Sequence, residues 1–424
     1  MDQRQLLRDM FQAAVQAASP EHTIKNYLPE APRGRTIVIG CGKAAATMAK
    51  AFEDSWEHPL EGLVVTSYGH GVPTQKIKVM EASHPIPDAE SMKAAVAIQA
   101  LVKDLNKEDL VVFLASGGGS SLLTLPADGI SLEEKKLLNS KLLQSGANIK
   151  EMNCVRKHLS LVKGGRLAQT IWPARCVTLA ISDIPGDDLS VIASGPTEPD
   201  DTTRNDALDI LRKYKINEPK SILKYMTDFR SETPKPGNHI FQNASSHLIS
   251  TPQRSLEAAA KVAQANGYRP VILGDAIEGE AREVATVMSG IAKQVAKYDQ
   301  PEKKPCVLLS GGETTVTVKG GGRGGRNAEF LLALAIELNG NEKIWAFSGD
   351  TDGIDGTEDN AGALVSPDSL ARAQKIGIDA KHSLADNDGY TFFEKLNDLV
   401  VTGPTLTNVN AVSYTHLTLP TKRI

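Results

Sequence analysis

Short runs of consecutive apolar residues, each broken by a glycine turn and followed by a helical segment, recur along this chain and restrict its fold more than any other feature. Thr36-Ile37-Val38-Ile39-Gly40 breaks at Gly42 and passes into the alanine-rich stretch from Lys43 to Phe52. Gly62 to Thr66, Asp109 to Leu114 and Val177 to Ile181 repeat the apolar run, with helical stretches such as Ser91 to Leu105 between them. Strands that are apolar throughout, rather than alternating, belong to a largely parallel sheet covered on both faces. The expectation is an α/β fold built from βαβ units.

The chain of 424 residues has room for more than one domain. Ser231-Glu232-Thr233-Pro234-Lys235-Pro236-Gly237-Asn238 discourages both helix and central strand, and a boundary is expected there. A second α/β series then begins: a strand from His239 to Gln242, a helix around Ser255 to Ala265, and a strand from Pro270 to Leu273. A helix from Ala281 to Tyr298 follows, then a strand from Cys306 to Leu309, an alternating strand from Glu313 to Lys319, a helix from Asn327 to Leu338 and a strand from Ile344 to Phe347. The sequence therefore predicts an N-terminal domain over 1–235, opening with an amphipathic helix from Met1 to Ala18, and a C-terminal domain over 237–411. A largely parallel Rossmann-like sheet is expected in the first and a mixed sheet in the second, with the active site in the cleft between them. Val412 to Ile424 shares no periodicity with what precedes it, reads like translated vector sequence, and is set aside as a non-native tail.

Composition excludes several classes of function. Lys plus Arg (47) against Asp plus Glu (51) leaves a net charge of −4, which offers no general footprint for nucleic acid or an anionic membrane. No stretch approaches the roughly 20 apolar residues of a spanning helix, so a cytoplasmic enzyme is expected. The four cysteines, Cys41, Cys154, Cys176 and Cys306, lack CxxC spacing and read as reduced structural thiols.

The candidate chemistry sits in loops after strands. Ser116-Gly117-Gly118-Gly119-Ser120-Ser121 can turn backbone N–H groups and hydroxyls toward phosphate or carboxylate oxygens. Ser310-Gly311-Gly312-Glu313-Thr314 is read as a second such loop. Gly320 to Asn327 carries Arg323 and Arg326 in a glycine frame before a helix, where guanidinium forks and a helix N-terminus favour anions. Lys43 lies just past a strand end, in reach of a ligand at the sheet's C-terminal edge. Neither GxxxxGK[ST] nor GxGxxG stands at a suitable turn. Asp183 and Asp187, and Asp350 and Asp352, form two acidic clusters at strand ends that suit Mg²⁺, and the same four are the candidate general bases. Arg156, beside Asn153 and Lys157, is a candidate contact for a small anionic substrate. His84 and His158 are not ranked as catalytic.

In their order, Gly40-Cys41-Gly42-Lys43-Ala44-Ala45, Ser116 to Ser121, Ser182 to Asp187, Ala193-Ser194-Gly195-Pro196-Thr197, Ser310 to Thr314, Gly322 to Asn327 and Gly349 to Gly353 resemble the glycerate 2-kinases that join a DUF4147-type domain to a MOFRL domain. The likeness runs to about Asn410. It implies transfer of the ATP γ-phosphoryl group to the 2-hydroxyl of D-glycerate, giving 2-phosphoglycerate and ADP with Mg²⁺. It further implies Lys43 and an arginine of the RGGR segment, Arg326 in preference to Arg323, as the residues essential for transfer. The implied partners are D-glycerate and ATP, with a homodimer left open. Two departures stand out: Ala328 where the family usually has glutamine, and Ala411 where it usually has aspartate. A hydroxypyruvate reductase and a non-catalytic sugar-acid or nucleotide sensor are the competing readings.

Overall fold

The computed structural model describes residues 2–417, which divide into two compact units. One comprises Pro20–Asp183 and Asp187–Ile249; the other comprises Met1–Ser19, Ile184–Gly186 and the chain from Ser250 onward. The break therefore falls after Ile249, not in the proline-containing segment at 231–238, and the first helix belongs with the C-terminal half of the chain.

The first unit contains β1 (Thr36–Cys41), β2 (Glu61–Ser67), β3 (Ile77–Ala82), β4 (Leu110–Ala115), β5 (Arg175–Ile181) and β6 (Ala244–Ser250), in the spatial order β3-β2-β1-β4-β5-β6. The ladders joining β1 to β5 are all parallel. Every residue of β1 and β4 is buried, which is what their unbroken apolar runs require of central strands. The order reverses between β1 and β4, and in doubly wound sheets that reversal opens a crevice outside the strands' carboxyl ends. β3 has no apolar run, because as an edge strand it buries only Ile77 and Ala82 fully. Residues 239–241, expected as a strand, form a short 3₁₀ turn, and the strand begins at Ala244.

The second unit contains β7 (Arg269–Glu280), β8 (Cys306–Thr315), β9 (Ile344–Asp350), β10 (Gly362–Val365), β11 (Leu399–Val400) and β12 (Ala411–Leu417), ordered β11-β10-β9-β12-β8-β7. Only the β7–β8 pair is parallel. β8 ends at Thr315, so the expected alternating strand to Lys319 is cut short.

The chain from Val412, set aside in the sequence as a tail, takes part in the fold as β12, which lies between β8 and β9 and pairs antiparallel with both. Val412 and Tyr414 are fully buried, while Ser413 and Thr415 face the other way, an alternation that suits a strand between two layers. Residues 418–424 lie outside the described residues. The first helix, Gln3–Ala18, is capped by Asp2 and buries Leu6, Leu7, Met10, Phe11 and Ala14 in one cluster with Leu256, Phe347, Val412 and Tyr414. Ser255 Oγ donates to the Ala14 carbonyl at 2.9 Å, and Arg4 pairs with buried Asp398 at 2.6 Å. Among the described residues no helix is long and apolar enough to cross a membrane.

Candidate active site

In the parallel-sheet unit the turns after β1 and β4 interlock. Lys43 N–H donates to the Gly117 carbonyl at 2.8 Å, and Ala44 N–H donates to Ser116 Oγ at 3.1 Å. Gly42 has φ 130°, and a Cβ there would stand 2.2 Å from Ser116 Oγ, so only glycine allows the two turns to meet. Ser116 is thus a fully buried brace and not the ligand contact expected of it. Ser121 Oγ donates to the Gly118 carbonyl, and Ser120 Oγ shares a 2.8 Å hydrogen bond with Ser194 Oγ. Ser194 sits in a left-handed run, with φ 52° at Ala193, 63° at Ser194 and 59° at Gly195. Such strain in non-glycine residues gathers at functional sites. The N–H groups of Gly117 and Gly118 have no protein acceptor among the described residues, which leaves them available to an anion.

The strict dinucleotide fingerprint is absent, yet Gly40-Cys41-Gly42-Lys43-Ala44-Ala45 has its GxGxxA form at the β1-to-helix turn, a match the sequence reading passed over. The carboxylate that would hold a nicotinamide ribose is missing: β2 ends in Thr66-Ser67, and Thr66 Oγ1 donates to the Lys43 carbonyl. Cys41, at the end of β1, is a buried free thiol pushed up to about 12 by burial.

Beside these turns lies a cavity of about 210 Å³, lined by His84, Gly118, Ser120, Ser121, Thr124, Lys135, Asn139, Arg156 and Lys163, with Pro85 and Pro87. Its lining contains three cations and no carboxylate. Arg156 was legible as a candidate; Lys135 was not, because a lysine within a charged helical stretch reads as solvated, and Lys163 was no more visible. A Cβ on Gly118 would lie 2.9 Å from His84 Cδ2 and 3.5 Å from Lys43 Cγ, so this glycine separates the cavity wall from the Lys43 side chain.

In the mixed-sheet unit Ser310, Gly311, Gly312, Glu313 and Thr314 are not a phosphate loop: all five lie within β8, with Gly312 backbone packed against Ile277. The glycine frame behaves differently from expectation too. Asp355, fully buried, accepts N–H bonds from Asn327 at 2.9 Å and Ala328 at 2.8 Å, filling the N-terminus of helix Arg326–Leu338 with the protein's own carboxylate. Burial raises Asp355's proton affinity, and those hydrogen bonds oppose the rise. Arg326 is held between Glu313 Oε1 and Asp350 Oδ2, both at 2.5 Å. Burial alone would weaken its hold on the proton; the two carboxylates outweigh burial and keep it charged. Arg323 is more exposed, pairs with Glu358 at 2.5 Å and stacks over the Tyr390 ring at 4.2 Å.

The aspartates separate accordingly. Asp350 is engaged by Arg326, and Asp352 accepts the Ile354 N–H at 3.0 Å in its own turn. Asp187 has φ 56°, and its Oδ1 is buried without a hydrogen-bond partner, an oxygen suited to a hard cation. No group of three or more His, Cys, Asp or Glu side chains arranged for a metal occurs among the described residues.

Comparison with known proteins agrees with this architecture. A domain of unknown function, DUF4147, matches residues 6–227, and the MOFRL family matches residues 306–411. A putative hydroxypyruvate reductase of Agrobacterium vitis is 53% identical over 96% of this chain and 93% of its own length. A D-glycerate 2-kinase of Thermotoga maritima is 43% identical, covering 96% of each chain. The crystal structure of a Thermotoga maritima glycerate kinase superposes with a TM-score of 0.90 at 41% identity, covering 98% of this chain and 99% of that one. Matched along nearly its whole length, this chain belongs to the glycerate kinase family built from a DUF4147 domain and a MOFRL domain.

Proposed function

We propose that this protein is an ATP-dependent D-glycerate 2-kinase, moving the γ-phosphoryl group to the 2-hydroxyl of D-glycerate and releasing ADP and 2-phosphoglycerate. The observation that carries the reading is the interlocked pair of turns at the sheet's reversal point, with Lys43 on one and unsatisfied glycine N–H groups on the other. Phosphoryl transfer needs little covalent help from the protein; it needs fixed positive charge and a well-placed hydroxyl. Lys43 and Arg326 are the cations proposed to be required, Arg326 before Arg323 because two carboxylates hold its guanidinium in one orientation. As the hydroxyl oxygen bonds to phosphorus, the bond to the ADP oxygen breaks and the hydroxyl proton leaves to a base or to water. Asp183, two residues beyond the end of β5 at the carboxyl edge of the parallel sheet, is the carboxylate proposed for that proton.

A divalent ion such as Mg²⁺, bound with the nucleotide, would supply further positive charge for phosphoryl transfer. Asp187 is the residue proposed to hold it, since its buried Oδ1 lacks a protein donor.

The relative named as a putative hydroxypyruvate reductase and the GxGxxA turn together favour a second reading, reduction of hydroxypyruvate with a nicotinamide cofactor. The absence of an acid at the end of β2 weighs against it. The test is incubation with ATP, Mg²⁺ and D-glycerate, with the product isomer identified by ³¹P NMR, beside a parallel assay of NADH loss with hydroxypyruvate. 2-Phosphoglycerate without NADH oxidation is the expected result; the reverse pattern replaces the kinase with the reductase.

A further inference from the structure

Three buried lysines, Lys135, Lys157 and Lys163, and the partly exposed Arg156 lie close together in the parallel-sheet unit, and among the described residues only Lys157 is paired with a carboxylate. Lys157 meets buried Asp200 at 3.2 Å. Its neighbour Arg156 has only Asn139 Oδ1, at 3.1 Å from Nε. Lys135 has only Thr124 Oγ1, at 3.3 Å. Lys163 donates to the Ser120 and Leu123 carbonyls at 2.8 and 3.0 Å. Among the described residues no carboxylate forms an ion pair with Lys135, Arg156 or Lys163, although Lys135 is 3% exposed and Lys163 1%. Burying charge without a counter-charge costs several kcal/mol. All three line the 210 Å³ cavity, so the missing counter-charge belongs to whatever fills it.

We propose that this cavity binds the carboxylate of the acceptor substrate, a small hydroxy acid, through Lys135 and Arg156, with Lys163 bracing the turn beneath. The identity of the acid rests on the kinase reading; the class of ligand, a small organic anion, rests on the charge arrangement alone. The volume lies below the roughly 300–1,000 Å³ typical of drug-sized ligand sites and suits a three-carbon acid better than a nucleotide. Ser120, Ser121, Thr124 and Asn139 supply neutral polar groups for its hydroxyls, and Gly118 stands between the cavity and Lys43. Lys135 and Arg156 thus select an acid over a neutral polyol.

A second consequence is measurable without any variant. Burial, reinforced by Lys163 and Arg156, lowers the proton affinity of Lys135 well below that of an ordinary lysine, and burial brings Lys163 to about 8. The groups facing Lys135 are Lys163, Arg156, His84, Asn139 and the hydroxyls of Ser120, Ser121 and Thr124; none is an acid. An arriving carboxylate raises both lysines' proton affinities, so binding at pH 8 takes up protons.

The experiment is titration calorimetry of D-glycerate into the full-length protein at pH 8, in two buffers of different ionisation enthalpy, with glycerol as the neutral probe. Proton uptake with D-glycerate and no binding of glycerol are expected. In Lys135→Met and Arg156→Met, affinity for D-glycerate and its KM should weaken roughly 10- to 100-fold with KM for ATP unchanged, the loss of a charge-assisted contact. Lys135→Met should also reduce the uptake. Wild-type protein that binds glycerol as well as D-glycerate, or folded variants that bind D-glycerate as wild type does, overturn the proposal. Lys135-dependent binding of D-glycerate with no turnover on ATP supports the anion site and removes the kinase reading instead.

Discussion

Arg326 is proposed to serve both the fold and the chemistry, and the two roles can be separated by experiment. Its side chain is 22% exposed, and its guanidinium lies against Asp350, whose side chain is 5% exposed, and against Glu313, which is half exposed. Removing one partner of a buried pair costs about 3–5 kcal/mol, and partial exposure of Arg326 points to the lower end, about 3 kcal/mol. The contact with Glu313 adds less than about 1 kcal/mol because water screens it. Arg326→Met should therefore destabilise its unit by about 3–4 kcal/mol. For a unit of roughly 200 residues that is a fall in Tm of roughly 6–15 °C. Adding Asp350→Asn removes the carboxylate that Arg326 neutralised, and the double variant should recover part of that loss, read from a double-mutant cycle in denaturant. Turnover tells the other half. If Arg326 acts on the transferring group, the double variant regains stability while kcat stays at least about 100-fold down, the scale of losing one positioned charge donor. Recovery of stability and turnover together would refute the catalytic assignment and leave Arg326 as a structural cation; a single variant destabilised by less than about 1 kcal/mol would refute the structural reasoning.

Lys43→Ala should lower kcat by at least about 100-fold. Its Tm should move by no more than about 2 °C, because the half-buried side chain carries no packed core; near-normal turnover would remove Lys43 from the mechanism. Gly42→Ala should cost about 2–5 kcal/mol, combining a strained φ of 130° with a Cβ 2.2 Å from Ser116 Oγ. Gly69→Ala is the control, with φ 77° and nothing within 4 Å, and should cost about 1 kcal/mol; equal losses in the two would show that the interlock of the turns contributes nothing. Burial lowers the proton affinity of His158, whose Nδ1 lies 2.8 Å from the Cys154 carbonyl oxygen. Below pH of about 6.5 the unfolded chain takes up a proton that the folded ring refuses, so this contribution is present above that pH and lost as pH falls through it, at up to about 1.4 kcal/mol per pH unit. Denaturant unfolding from pH 7 to 5 should show a shallower decline in His158→Gln than in wild type, and equal slopes would exclude His158 as a source of acid sensitivity.

The sequence by itself determined the parallel core of the first unit and the place of Lys43. Unbroken apolar runs such as Thr36 to Gly40 and Leu110 to Leu114 are stable only when covered on both faces, and a glycine directly after such a run marks a turn at the sheet's edge. These are local properties, carried by residues adjacent in the chain. Features that depend on distant partners are not written in any local stretch of the chain. Ser310 to Thr314 looks like a loop because glycines permit one, yet it is a strand because β12 and Ile277 approach it closely. Val412 to Thr415 shows no kinship with its neighbours in sequence, but an alternating segment is accepted wherever two strands lack a partner between them. Asp355 takes the helix N-terminus that glycines had left open to an anion, because a buried carboxylate can satisfy two N–H groups from 27 and 28 residues away. Lys135, Arg156 and Lys163 were scattered charges in the sequence. Only tertiary packing made them neighbours, gave them no acid as partner and left a cavity between them, and the burial of Lys135 and Lys163 beside Arg156 is what gives the site its demand for an anion.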